Sequence, residues 1–245
     1  MIYAFTITRA TTPQRLDMLR STLEEGRGTA GMEFKWVVHC LTSKSFELVS
    51  NLATELKLEA IFHSHNIGQH VITNLSIKAA DDGGYDKLLR LDDDVKFLTK
   101  RWLFKLNEAS DKLGPTFIVS PRVLGLNNLP DSSEVISHED INIQVLLNAI
   151  GGICRLHYLE SLTNPVFPYI SDVRKPLGFG DATGIAEWCK QNLEHGLRRW
   201  MAYIVDIRIK HAYGTTKQQQ LDPVYHEVHN LYQVVPYIPI WDGKV

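Results

Sequence analysis

Two kinds of apolar pattern alternate in the first part of the chain. Residues 2–8 are rich in β-branched and aromatic side chains, and the polar stretch after them contains Pro13. This combination is typical of a buried strand, a loop and the first turn of a helix. Leu16, Leu19 and Leu23 then recur at helical spacing until Gly26. The pattern predicts a strand followed by a helix that ends near Gly26.

The same unit repeats along the chain. Apolar patterns predict further strands over residues 35–41, 58–63 and 86–91, and helices over residues 45–56 and 71–80. Strands that alternate with helices at this spacing form βαβ units. We therefore expect an α/β fold with a Rossmann-like, mostly parallel central sheet flanked by helices. Ligands of such sheets bind at the carboxyl ends of the strands.

The second half of the chain is less regular. Its patterns predict helices over 104–113 and 185–194, strands over 117–120 and 203–209, a loop over 127–140, and a segment of either type over 143–150. Residues 214–220 are almost wholly polar and predict a mobile loop before a tail rich in Tyr and Pro. The sequence has neither an internal repeat nor a linker, so we expect a single domain over residues 1–245.

Composition narrows the functional class. The formal net charge is -2, which gives no global positive field to attract nucleic acid or anionic lipid. Three widely spaced cysteines fit neither a disulfide framework nor a zinc knot, and reduced thiols are expected. The sequence shows neither a signal peptide nor an apolar stretch long enough to span a bilayer. These features predict a soluble, cytoplasmic protein.

The strongest chemical signal is the acidic triplet Asp92, Asp93 and Asp94, directly after an apolar strand. Adjacent carboxylates repel one another, and a hard divalent cation with oxygen ligands relieves that repulsion. In an extended chain Asp92 and Asp94 point to one side and Asp93 to the other. The alternative is an acidic turn that caps the next helix and stays solvated.

Several further segments are informative through their order and spacing along the chain. They are TITRATTPQR, Asn66-x-Gly68 with Asn74 and Ala79, LLRLDDDV, GGICR, GFGDATGIAEWCKQNLEHG and VDIRIKHAYG. Together they resemble the GT-A glycosyltransferases, and within them the inverting family 2, from Ile2 to about Gly214. The resemblance implies a GT-A fold with a nucleotide-sugar-binding half (residues 1–100), an acceptor and catalytic half (101–213), and a mobile loop with a C-terminal tail (214–245).

The resemblance also implies an activity and its residues. It implies transfer of a sugar from a nucleoside-diphosphate sugar, a UDP-sugar by default, to an acceptor hydroxyl with inversion. Mn²⁺ or Mg²⁺ would be held by Asp92, Asp94 and His211, and Asp181 would be the general base. The implied donor-binding residues are Thr8, Arg9, Arg15, Asn66, Gly68, Asn74, Lys78, Asp92 and Asp93.

Each of these roles has a structural alternative. Asp181 is also suited to capping the helix predicted after it, because aspartate is a favoured N-cap residue. His211 is alternatively a structural histidine, since histidines bind metals less often than they serve in the fold. Arg9, Arg15 and Lys78 are alternatively charges on helix surfaces.

The sequence departs from the family in two places. Members commonly carry an acid at the end of the second strand, where this chain has His39, so the nucleobase is left open. They often carry two acids where this chain has Asp181 and Ala182, which favours a catalytically inactive nucleotide- or glycan-binding module as an alternative. A nucleotidyltransferase is the other alternative, although TRATTPQR is not a phosphate loop rich in Gly and Lys. The acceptor is a glycan or another hydroxyl compound, with a hydroxymethylated DNA base of a phage as a further option that Arg198 and Arg199 permit.

Overall fold

The structure is a computed structural model that describes residues 1–64, 67–124, 135–145, 153–163, 192, 196–197 and 199–211. Its strands are β1 (Ile2–Thr8), β2 (Lys35–Cys40), β3 (Glu59–Phe62), β4 (Lys87–Leu91), β5 (Val95–Phe97), β6 (Phe117–Leu124), β7 (Val135–His138), β8 (Ile141–Val145), β9 (Cys154–Tyr158) and β10 (Trp200–His211). Its helices are α1 (Pro13–Thr29), α2 (Phe46–Glu55), α3 (Gln69–Asp82), α4 (Trp102–Leu113) and α5 (Leu159–Thr163), with a 3₁₀ turn at Ser43–Ser45.

The strands form one mixed sheet in the order β3-β2-β1-β4-β9-β6-β10-β8-β7, with β5 paired to β10. The first four strands are parallel, and β6 is parallel to β10. β9 runs antiparallel between β4 and β6, and β5, β7 and β8 add further antiparallel pairs. The predicted α/β fold, with a central sheet flanked by helices, is confirmed. Its longest parallel part, β3-β2-β1-β4, is built from the first βαβ units.

The strand order reverses beside β1. The chain runs outward from β1 to β2 and β3, and then returns to place β4 on the other side of β1. A crevice opens at such a switch point because the two connections leave in opposite directions, and ligands of α/β sheets bind there. Thr8 at the end of β1 and the acidic triplet after β4 both lie at this point.

Helix α1 begins where the sequence predicts. The Thr12 hydroxyl caps it by accepting a hydrogen bond from Arg15 N–H at 3.3 Å, and Pro13 occupies its first turn. Unlike the prediction, the helix does not end at Gly26 but continues to Thr29. A glycine is needed at position 26 for packing, since a Cβ there would lie 2.7 Å from the Trp36 ring. Gly26 therefore marks a close helix contact and not a helix end.

Two predictions in the second half are wrong. β6 passes through Pro121, although we predicted that the strand ends there. Pro121 lies opposite Ile204, where the register between β6 and β10 shifts, so the missing N–H falls at an irregular part of the ladder. The predicted loop over 127–140 contains β7 at its end. The helix predicted over 185–194 and the loop and tail after residue 213 lie outside the described residues.

Among the helices of the described ranges, none has both the length and the apolar composition needed to cross a bilayer.

The close packing of α1 gives a matched pair of tests. Gly26→Ala should destabilise the fold by about 1–3 kcal/mol, because Trp36 and Phe97 are buried beside the new methyl group and have no room to shift. Gly28→Ala in the same helix meets no atom within 4 Å and should stabilise by about 0.5–1 kcal/mol. Urea unfolding midpoints measure both variants. Equal shifts of the same sign would contradict the packing role of Gly26.

Candidate metal and donor site

The acidic triplet forms the tight connection between β4 and β5. The Thr22 hydroxyl of α1 accepts a hydrogen bond from Val95 N–H at 2.9 Å and donates one to the Val95 carbonyl at 3.1 Å. At the other end of the turn, Asp92 N–H donates to the carbonyl of Ile153 at 2.8 Å. Hydrogen bonds from the Thr22 side chain and from the Ile153 backbone thus hold the two ends of the turn and keep the three carboxylates close together.

Strand pairing brings His211 to this turn. β5 runs antiparallel to the end of β10, with Val95 opposite His211. Nε2 of His211 lies 2.9 Å from Oδ1 of Asp94 and 3.9 Å from Oδ2 of Asp92. One ligand atom from each of the three residues lies within 4.8 Å of the others. Two carboxylates and an imidazole at this spacing fit a single divalent cation.

Asp93 has a different set of partners. Its Oδ2 accepts a hydrogen bond from the Thr8 hydroxyl at 2.6 Å, and Nη2 of Arg15 donates to its two oxygens at 3.2 and 3.3 Å. Burial raises the pKa of Asp93 to about 6, against the lowering effect of the Arg15 charge. Thr8, Arg15 and Asp93 therefore fasten the acidic turn to β1 and α1. Their direct contact with a donor stays a prediction.

Arg90 is a further residue of this site, and it is not among the residues predicted from the sequence. Its Nη1 lies 2.8 Å from Oδ1 of Asp92, and the residue is only 5% exposed. Its position in the sequence could have predicted this contact, because Arg90 lies two residues before Asp92 and side chains two apart lie on one face of a strand. An arginine within an otherwise apolar strand that ends in acids therefore predicts an ion pair.

Each carboxylate of the triplet has a basic neighbour. The pairs are Arg90 with Asp92, Arg15 with Asp93, and His211 with Asp94. Burial lowers the pKa of His211, but the hydrogen bond and charge of Asp94, together with the other two aspartates, outweigh it and raise the pKa above its ordinary value. The raised pKa favours the protonated form of His211, which pairs with Asp94.

Comparison of the backbone with solved structures identifies the fold. No protein-family model and no curated protein matches the sequence. One similar structure is the mannosyltransferase PcManGT from Pyrobaculum calidifontis in complex with GDP-Man and Mn²⁺. The match covers 97% of this chain and 71% of PcManGT, with a TM-score of 0.60 and 14% identity. S. aureus TarS 1-349 with UDP-GlcNAc matches 94% of this chain with a TM-score of 0.59 and 13% identity. Both are GT-A glycosyltransferases. The chain has the GT-A fold.

A third GT-A structure extends the likeness. GalNAc-T7 with UDP, GalNAc and Mn²⁺ matches 93% of this chain with a TM-score of 0.56 and 9% identity. The chain spans 64% of the length of TarS 1-349 and 47% of GalNAc-T7. At these identities the likeness establishes the GT-A fold, which the sequence resemblance implied.

Four more of the predicted residues lie directly after β1 or at and within α3. Arg9 directly follows β1 and is half-buried, and burial lowers its pKa while Asp93 opposes that effect. Gly68 precedes α3 with φ of 87°, a conformation that suits glycine. Asn74 has a buried amide nitrogen that finds no hydrogen-bond partner in the described part of the chain. Lys78 is exposed and pairs with Asp82 one turn along α3.

Asn66 and Asp181 lie outside the described residues. The donor contacts of Arg9, Gly68, Asn74 and Lys78, and the roles of Asn66 and Asp181, therefore stay predictions.

A pair of histidines lies further along the same edge of the GT-A sheet. His39 at the end of β2 is buried, and its ring stacks on that of His63 with centroids 5.4 Å apart. Nδ1 of His39 lies 3.1 Å from Nε2 of His63, and its Nε2 lies 3.4 Å from the Ser76 hydroxyl. Burial, assisted by His63 and opposed by Glu59, lowers the pKa of His39 to about 4. His39 is therefore neutral at pH 7.

This shift predicts acid sensitivity. Because the folded-state pKa of His39 is about 4 and its unfolded value is 6.5, its contribution to stability is complete above pH 6.5 and is lost as the pH falls toward 4. Between roughly pH 7.5 and 5 the wild type should lose about 2 kcal/mol more unfolding free energy than His39→Gln. Urea unfolding at both pH values measures the difference.

Asp93 acts in the opposite direction over this range, since its pKa is raised, but it is present in both proteins and cancels in the comparison. An identical pH dependence of the two proteins would show that His39 is not the group responsible.

Proposed function

We propose that this chain is a metal-dependent glycosyltransferase that moves a sugar from a nucleoside-diphosphate sugar to an acceptor hydroxyl with inversion. The observation that carries the proposal is the meeting of Asp92, Asp94 and His211 at the β1/β4 switch point of a GT-A fold. Complexes of similar structures with UDP-GlcNAc, and with GDP-Man and Mn²⁺, support the donor class.

The residues at the site fit a divalent cation. Two carboxylate oxygens and one imidazole nitrogen suit Mn²⁺ better than Mg²⁺, which favours a shell made of oxygen alone. When bound by Asp92, Asp94 and His211, the cation would offset the negative charge on a diphosphate leaving group. Arg9, at the carboxyl end of β1, supplies a further positive charge for the same phosphates. We therefore propose that Arg9 binds the diphosphate.

We propose that Asp181 removes the proton of the acceptor hydroxyl as it attacks the anomeric carbon. The proposal rests on the sequence GFGD, which resembles the segment that carries the base in inverting family 2. Direct displacement of the nucleoside diphosphate would invert the anomeric centre. A general base of this kind accelerates transfer without contributing to donor affinity.

A glycan is the acceptor that we favour over a modified DNA base. Arg199, one of the two arginines that permitted the DNA option, donates to the carbonyl of Pro115 at 3.1 Å and to Oδ1 of Asn192 at 3.3 Å. These contacts give Arg199 a role within the fold. A panel of UDP- and GDP-sugars, with free glycans and hydroxymethylated DNA as acceptors, tests donor and acceptor together.

The metal site gives the sharpest test of the proposal. Asp94→Asn keeps the size of the side chain but removes a ligand charge, so it should lower transfer by about 10²-fold or more and abolish the thermal stabilisation produced by Mn²⁺ with nucleoside diphosphate. Asp17→Asn changes an exposed aspartate of α1 and serves as the control with equal charge change. Transfer that survives both Asp94→Asn and excess chelator would remove the triplet from the mechanism.

A substitution of Asp181 by asparagine distinguishes the role of general base from the role of helix cap. Asparagine ranks with aspartate as an N-cap residue but cannot accept a proton, so Asp181→Asn should keep the thermal stability and lower the transfer rate by about 10²-fold or more. Donor affinity should stay nearly constant. Turnover close to that of the wild type would show that the base is another residue.

A further inference from the structure

Arg90 occupies an unusual position for a charged residue. It lies in β4, where every residue is buried, and its side chain is only 6% exposed. Arg155 of β9, itself buried, lies directly opposite it in the antiparallel pair. Two like charges across neighbouring strands destabilise each other unless counter-ions are close. The carboxylate of Asp92 is such a counter-ion for Arg90.

The Arg90 guanidinium is held at both of its terminal nitrogens. Nη1 lies 2.8 Å from Oδ1 of Asp92, and Nη2 donates to Oε1 of Gln69 at 3.4 Å. Gln69 is the first residue of α3, so the guanidinium links this helix to the acidic turn. Arginine suits this role because its planar guanidinium presents its terminal nitrogens in a fixed geometry.

The two oxygens of Asp92 face different groups. Oδ1 is paired with Arg90, whereas Oδ2 is the oxygen 3.9 Å from Nε2 of His211. An aspartate held in this way offers a cation one oxygen and not two. The positive charge of Arg90 also lies next to a ligand of the proposed cation, where it repels that cation.

From these contacts we infer that Arg90 is a positioning residue that keeps Asp92 a one-oxygen ligand and lowers the affinity of the site for a bare divalent cation. Together with Arg15 beside Asp93, it leaves little net negative charge for a cation that arrives alone. The negative charge of a diphosphate compensates for this, so the cation binds tightly only together with the nucleotide. The inference rests on the proposed metal site and extends it to the order of binding.

Direct binding of Mn²⁺, followed by electron paramagnetic resonance without nucleotide, tests the inference. Arg90→Gln should raise the affinity for bare Mn²⁺ about 10-fold, since it removes a repelling charge and frees Oδ1 of Asp92. Arg90→Lys keeps the charge and should stay within about three-fold of the wild type. The gain in affinity that UDP gives to Mn²⁺ should shrink in Arg90→Gln and persist in Arg90→Lys.

Two control variants show which part of the Mn²⁺ binding belongs to this site. Arg20→Gln removes a half-buried positive charge of α1 that pairs with Glu24 and Glu55 and not with the acidic triplet, and it should leave Mn²⁺ affinity unchanged. Asp94→Asn should remove the Mn²⁺ signal that belongs to this site. A merely structural role for Arg90 would lower Mn²⁺ affinity in every variant, so the expected increase is a result that simple damage to the fold does not produce.

Opposite results overturn the inference. It fails if Arg90→Gln leaves the affinity for bare Mn²⁺ unchanged or lowers it, or if Arg90→Lys behaves like Arg90→Gln. Arg90→Met, uncharged and of similar length, is measured beside them with circular dichroism to check folding. If neither uncharged variant folds, the charge serves the fold and the inference is also wrong.

The Mn²⁺ measurements can fail or succeed independently of the proposed glycosyltransferase activity. Mn²⁺ binding that shifts as expected, without transfer from any donor of the panel, would contradict the glycosyltransferase activity and leave the role of Arg90 standing. A wild-type protein whose Mn²⁺ signal does not depend on Asp94 would overturn both.

Discussion

Three adjacent carboxylates in a largely buried turn are the constraint around which this edge of the molecule is built. Their mutual repulsion has to be offset, and the basic side chains that do so come from three separate elements: Arg90 of β4, Arg15 of α1 and His211 of β10. The pairs of Arg15 with Asp93 and of His211 with Asp94 therefore also join parts of the chain that are distant in sequence. The electrostatics of the site and the assembly of the GT-A sheet depend on the same contacts.

The parallel half of the sheet and the acidic site were predictable because their signals are local. Each βαβ unit shows its own apolar pattern, and the triplet stands directly after a buried strand. The place of His211 came from family resemblance, and the structure supplies its physical reason, which is the pairing of β5 with the end of β10. That pairing joins residues more than 100 positions apart and leaves no local pattern.

The parts that the sequence did not predict depend on tertiary contacts. β9 was missed because Arg155 and His157 make it look half-polar, although both are buried between β4 and β6. Gly26 resembled a helix end because its close approach to Trp36 is invisible in sequence. Arg90 was given no role, because its counter-ion Asp92 lies in the turn that follows the strand.

The double hydrogen bond of Thr22 has a consequence beyond the site. β5 is only three residues long and pairs with β10 on one side, so the N–H and C=O of Val95 on the other side would ordinarily be open to another strand. The Thr22 hydroxyl takes up both groups. One side chain on a helix thus stands in for a neighbouring strand, and it closes this edge to pairing with a second copy of the chain.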